Sequence, residues 1–132
     1  MKEKNQERIL EFYSLNQKVK QIQEQLELLK DHVKELMVLE ESIKELNKGK
    51  KQIYMPLGGG VFVEAEVKNN KSLLVNVGSN VLLNKTPKDA NELVQKQQKE
   101  IFQAIASLDS ELKESIKELK ILQKEISKEE QQ

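Results

Sequence analysis

Few residues in this chain have types and spacing suited to chemistry. The stretch YMPLGGGVF carries three consecutive glycines, Gly58, Gly59 and Gly60. Glycine runs bind phosphate where backbone N–H groups open a helix, and a P-loop needs GxxxxGK[ST] leading straight into that helix. Here VFVEAEV follows, which reads as a strand, and no GK[ST] is present. The dinucleotide pattern GxGxxG fails too, because Val61 and Phe62 follow Gly60 and no further glycine arrives. The glycines therefore read as a strand-to-strand turn that needs positive φ and close backbone approach. His32 is the only histidine and cysteine is absent. That leaves no material for a zinc site of the usual kind or a thiol nucleophile, and no Ser-His-Asp arrangement can be argued. His32 is expected on a helix surface. The many Glu and Lys residues read as solvated helix flanks. No catalytic residue, metal or cofactor is expected, and no ATP binding.

Composition narrows the class further. Charged residues make up 33% of the 132-residue chain and aromatics 4%, with no Trp. This is poor material for a globular core and good material for long solvated helices. The 22 basic and 22 acidic residues cancel, so the net basic footprint of a nucleic-acid binder is missing. No apolar stretch approaches the roughly 18 residues that span a bilayer. MKEKNQERIL is charged where a signal peptide needs an apolar segment. A soluble, cytoplasmic protein is expected, with neither nucleic acid nor membrane as partner.

Two long helices must position whatever function remains. In the first third, Phe12, Val19, Leu26 and Val33 alternate with Leu15, Ile22, Leu29 and Leu36 at spacings of three and four. That is a heptad seam with the first set at a and the second at d. The next a position is Glu40, where the strict repeat stops; the stripe resumes one residue early through Leu39, Ile43 and Leu46. Around this shift Leu36, Met37, Val38 and Leu39 cover most of the helix circumference, so something besides a coiled-coil partner should pack there. Gly49 suits the C′ position, with Lys48 and Lys50 near the negative helix end.

The last third opens on KTPKDA, with Thr86 as N-cap, Pro87 at N1 and Asp89 at N3. Its seam runs through Val94, Ile101, Ile105, Leu108, Leu112, Leu119, Leu122 and Ile126, interrupted by Gln98 and Ser115. Each helix would span roughly 45 residues, or about 65 Å. One apolar stripe per helix and matched lengths predict an antiparallel coiled coil. A register with Leu36 near Ile101 places Leu15 by Leu122 and Phe12 by Ile126, with both chain ends at the far tip.

Residues 52–85 change character. QIYMPL, VFVEAEV, SLLVNV and VLLNK are short and rich in β-branched residues, separated by GGG, KNNK and GSN. Two β-hairpins in series are expected, with Asn69 and Asn70 suited to left-handed turn conformations. In the second strand Val61, Val63, Ala65 and Val67 alternate with Phe62, Glu64 and Glu66, predicting one buried face. The third strand is apolar on both faces. Four short strands cannot cover all their edges, so oligomerisation through this region is expected.

The order helix, two hairpins, helix, with MPLGGGVFVEAEV and LLVNVGSNVLLNKTPKDA in the middle, resembles the alpha-class subunit of the prefoldin family. The similarity is strongest from Ile53 to Ala90; beta-class subunits carry a single hairpin. The resemblance implies an α+β fold: a long antiparallel coiled-coil hairpin whose two central β-hairpins assemble into an oligomeric β-barrel body. The whole of 1–132 would be one domain, with helix 1–49, hairpins 52–85 and helix 86–130. Two alpha-type and four beta-type chains would form a hexamer. The arm tips would hold non-native proteins and pass them to a group II-type cytosolic chaperonin without ATP.

The residues give that implication an address. Ile9, Leu10 and Tyr13 lie off the stripe beside Phe12 and Leu15; Ile121 lies off the seam beside Leu122 and Ile126. These eight are the expected client-binding set. In the first hairpin the expected assembly residues are Ile53, Met55, Leu57, Gly58, Gly59, Gly60, Val61 and Val63. In the second they are Leu73, Val75, Val77, Gly78, Val81 and Leu83, while Tyr54, Phe62 and Met37 are expected at the body or its junction. The alternative function is a filament-forming structural or scaffold protein assembled through the hairpins.

Overall fold

The computed structural model describes residues 2–49 and 51–130. Met1, Lys50, Gln131 and Gln132 lie outside the described residues, and with them the outer limits of the expected domain and the position of Lys50. The element order is α1 (Lys2–Asn47), β1 (Gln52–Gly58), β2 (Val61–Glu66), β3 (Leu73–Asn76), β4 (Leu82–Lys85) and α2 (Pro87–Glu130). The chain divides into two compact units, one of Met1–Val33 with Ile101–Gln132 and one of Lys34–Glu100.

In the first unit α1 and α2 run antiparallel. Arg8, in the second turn of α1, pairs with Glu125 and Glu129 near the end of α2, and Lys18 lies 3.3 Å from Glu111. The seam is real: Val19, Ile22, Leu26 and Val33 are buried. Burial thins toward the Arg8 end, where Phe12, Leu15, Leu122 and Ile126 are only half-buried. Ser115, at a seam position of α2, is buried with the apolar residues. Its small side chain leaves the helices free to approach.

In the second unit the end of α1 and the start of α2 carry both hairpins. Leu36, Ile43, Ala90 and Val94 are buried. Gly49 ends α1 at φ 91°, its N–H bonded to the Leu46 carbonyl at 3.1 Å, as a left-handed C′ residue should be. Thr86 caps α2, its Oγ1 accepting from the Asp89 N–H at 3.2 Å. Pro87 then supplies a first helical residue that needs no N–H partner.

The four strands form two separate two-stranded antiparallel sheets, β1–β2 and β3–β4. In the first, Met55 pairs with Val63 and Pro56 with Phe62, and a bulge falls between Pro56 and Gly58. Gly59 and Gly60 make the turn at φ 61° and 80°, both in the left-handed region that a type I′ hairpin demands. In the second, Leu73 pairs with Lys85 and Val75 with Leu83. Ser79 and Asn80 take the positive φ there, and Asn76 Oδ1 accepts from the Gly78 N–H at 3.0 Å.

Two expectations need correction. Asn69 and Asn70 do not adopt positive φ, because KNNK connects two sheets and does not close a hairpin. Asn69 Oδ1 accepts from the Lys71 N–H, and Asn70 Nδ2 donates to the Leu46 carbonyl at 3.0 Å. The connector is thereby tied to the end of α1, at a carbonyl that also accepts from the Gly49 N–H. The second correction concerns the face of β2 expected to be buried. Val61 and Val63 are exposed, and only Ala65 and Val67 are half-covered. A lone two-stranded sheet has nothing within the chain to lay over that face.

Candidate functional site

No group of three or more His, Cys, Asp or Glu able to hold a metal ion occurs among the described residues. His32 is exposed on α1. The glycine run leads from β1 into β2 and not into a helix, so its N–H groups form no phosphate cradle of the P-loop kind. Among the described residues no helix is long and apolar enough to cross a membrane. What the chain does present is exposed apolar surface, in both units.

In the first unit, that surface lies at the Arg8 end of the helix pair. Leu10 is 69% exposed, Tyr13 65% and Ile121 57%. These side chains sit off the seam, so closing the coiled coil leaves them in water. Tyr13 stands edge-on to Phe12, with ring centroids 6.3 Å apart. Leu15 and Leu122 line one cleft with Glu11, Ser14, Lys18 and Glu118, which agrees with the expected register there. Ile9, Phe12, Leu15, Leu122 and Ile126 are half-buried. Of the eight residues expected to take clients, then, three are exposed and five are half-buried.

In the second unit the hairpins carry the apolar surface. Met55, Leu57, Val61, Val63, Val77, Val81 and Leu83 are exposed, as are Tyr54 and Phe62. Gly58, Gly59, Gly60 and Gly78 have no atom within 4 Å of where a Cβ would stand. Ile53, Leu73 and Val75 are half-buried against the helices. Ile53 shares a cleft with Leu46; Leu73 and Val75 line an apolar cavity with Leu39, Ile43, Leu93 and Val94. Leu36 is buried and Leu39 lines the cavity shared with β3, so the second hairpin supplies part of the contact that LMVLE calls for, whereas Met37 and Val38 are exposed. Single exposed apolar residues are ordinary on a surface; a set this dense on two unpartnered sheets marks a surface that binds another chain.

Each unit also holds a polar contact at a seam position; the sequence reading marked Glu40 and Gln98 as interruptions without pairing them, and it missed Arg8. Glu40, the a position at which the heptads stop, accepts from Gln95 Nε2 at 3.2 Å and from Gln98 Nε2 at 3.1 Å. Lys44 Nζ lies 3.4 Å from the same carboxylate. The two seam interruptions, Glu40 and Gln98, therefore face each other and pin one register. In the first unit Arg8, the one arginine among 22 basic residues, falls at d when the heptads are counted back from Phe12. Its planar fork engages two carboxylates one turn apart on α2, a geometry that lysine does not reproduce. Extending the heptads back from Phe12 was the signal that would have found Arg8.

The Gln95 amide first, then Gln98 and Lys44, hold the Glu40 carboxyl below its ordinary pKa, against the opposing effect of its partial burial. A folded-state pKa below the unfolded one means that the ionised form favours the fold. The contribution is full above the ordinary carboxylate range and lost as pH falls through the lowered value. Thermal unfolding followed against pH should show wild type more stable than Glu40→Gln near neutrality, with the difference vanishing in acid.

Comparison with known proteins decides which surface-binding family this is. The family model described as Prefoldin, "Prefoldin subunit", matches residues 15–132. The chain belongs to the prefoldin family. It is 36% identical over 101 residues to prefoldin subunit alpha of Methanococcus maripaludis, covering 76% of this chain and 67% of that one. It is 28% identical over 126 residues to prefoldin subunit alpha of Thermofilum pendens, covering 92% and 97%. The fold matches the cryo-EM structure of filamentous PFD from Methanocaldococcus jannaschii at a TM-score of 0.72 and 16% identity, covering 91% of this chain and 98% of that one. The alpha class implied by the two hairpins agrees with the names of these relatives, and chaperone function with the prefoldin family.

Proposed function

We propose that this prefoldin chain is the alpha-type subunit of an ATP-independent chaperone. It captures non-native proteins on exposed apolar side chains at the Arg8 end of its helix pair and delivers them to a group II-type chaperonin in the cytoplasm. The observation that carries the reading is the exposure of Leu10, Tyr13 and Ile121 beside a seam that is closed elsewhere. Non-native chains expose apolar segments of no fixed sequence, and a few wet aliphatic and aromatic groups bind such segments without reading sequence. Nothing in this capture needs nucleotide.

Assembly belongs to the other exposed surface. The hairpin faces pair with beta-type subunits, two alpha with four beta, closing edges that one chain leaves open. The residues from Ile53 to Val63 and from Leu73 to Leu83 named above carry those contacts, with Met37 and Val38 covered at the junction. Residues 1–132 act as one prefoldin-like domain in that assembly.

Mixing the chain with a beta-type prefoldin subunit and recording native mass spectra tests the assembly. A closed hexamer that also slows light scattering by a chemically denatured protein, without ATP, is the expected result. An open ladder of masses would instead support the filament-forming scaffold.

A further inference from the structure

Lys113, Lys117, Lys120, Lys124 and Lys128 recur along α2 at spacings of three and four, which on an α-helix confines them to one arc about 80° wide. All five are exposed. None lies within 4 Å of a carboxylate among the described residues, although Arg8 and Lys18 are paired in the same unit. Of the carboxylates three residues from a lysine of the row, Glu125 is engaged by Arg8, and Glu114 forms no ion pair with Lys117. Glu114 and Glu118 fall on the neighbouring flank, outside the arc. Like charges at three- and four-residue spacing destabilise a helix, so the row has a structural cost with no compensating ion pair among the described residues. Neighbouring lysines rise about 4.5 to 6 Å apart along the axis, inside the screening length of about 8 Å at physiological salt, so their potentials add. Ile121, exposed, follows Lys120 directly and lies one turn from Lys117 and Lys124.

We infer that this lysine row makes the capture surface selective: it favours non-native segments in which apolar residues are interspersed with carboxylates over segments interspersed with cations. The inference rests on the reading that Leu10, Tyr13 and Ile121 take clients. The apolar residue of the segment covers Ile121 while its Asp or Glu residues lie along the row. An extended chain places every second side chain about 6.6 Å apart, close to the lysine spacing. The occupant is a polypeptide and not a nucleic acid, because the row is centred beside an aliphatic anchor and carries no aromatic platform for bases.

The test uses the full chain assembled with its beta-type partner and three fluorescein-labelled peptides. They share one apolar sequence and carry Asp, Ser or Lys at alternate positions. Wild type should bind the Asp peptide roughly tenfold or more tighter than the Lys peptide at low salt, and the ratio should fall as NaCl rises. Replacing all five lysines by Gln, a good helix former, should abolish the ratio and leave binding of the Ser peptide unchanged. A control with Lys20, Lys30, Lys34, Lys48 and Lys51 changed to Gln has the same net charge and should keep the ratio. A ratio unaffected by the five substitutions, or equally affected by the control set, overturns the inference while leaving client capture intact. Failure of wild type to bind any of the three peptides overturns both. Row-dependent binding of a single-stranded oligonucleotide without any preference among peptides overturns it in favour of a polyanion surface.

Discussion

Replacing Leu10, Tyr13 and Ile121 together by Ser should weaken binding of a denatured client by roughly tenfold to a hundredfold, with helix content and assembly unchanged. Full burial of a large apolar side chain contributes about 1.5–3 kcal/mol. These three have more than half their surface in water, so over half of that remains available to a client. Ordering the client chain offsets part of the gain. None of the three packs in the seam, and surface substitutions of that kind change stability by no more than about 0.5 kcal/mol. Ile9 is a poorer choice for the set, because it is half-buried and its loss would mix stability with binding. The readouts are light scattering of the client at fixed chaperone concentration and circular dichroism of the variant. Undiminished suppression with a normal fold would remove this end of the helix pair as the capture site.

The seam was legible because α-helical spacing is a local property: Phe12 to Leu36 alternate without a break, and the helices close on those residues. Thr86–Pro87 and Gly49 were legible for the same reason, since each satisfies a backbone group within one turn of itself. Asn70 was not. Its partner is the Leu46 carbonyl, 24 residues away, and nothing in KNNK distinguishes an asparagine that ties down a helix end from one that turns a hairpin. The polar layers were half legible. Gln98 was recognisable as an interruption, but pairing it with Glu40 required the register, which two seams alone leave free to slide by a heptad. The burial pattern of β2 misled because alternation reports which face will be covered and not by which chain. Val61 and Val63 are patterned for a core, and the chain itself holds no second layer to complete it. The pattern, and the excess of apolar surface it leaves, are themselves the evidence that a partner is required.

That dependence makes Gly60 the most informative single position in the hairpins. Gly60 sits at φ 80° with open space where a Cβ would go, so a side chain there meets no neighbour and acts through the backbone alone. Valine is β-branched and disfavours that region by about 1–3 kcal/mol, whereas asparagine visits it at much lower cost. A two-stranded ribbon is marginal by itself and cannot absorb such a penalty without losing its turn. The turn sets which residues of β1 face which of β2, and slipping the ribbon by one residue turns Val61 and Val63 to the opposite face. Gly60→Val should therefore abolish assembly with beta-type subunits in native mass spectra. The helix pair, whose buried residues lie elsewhere, should retain its circular dichroism. Gly60→Asn should assemble nearly as wild type. The contrast between the two variants separates turn conformation from side-chain bulk, since both add a branched group of similar size to the same open space. If Gly60→Val assembled normally, the first hairpin could not be part of the subunit interface, and the exposed residues from Met55 to Val63 would need another occupant.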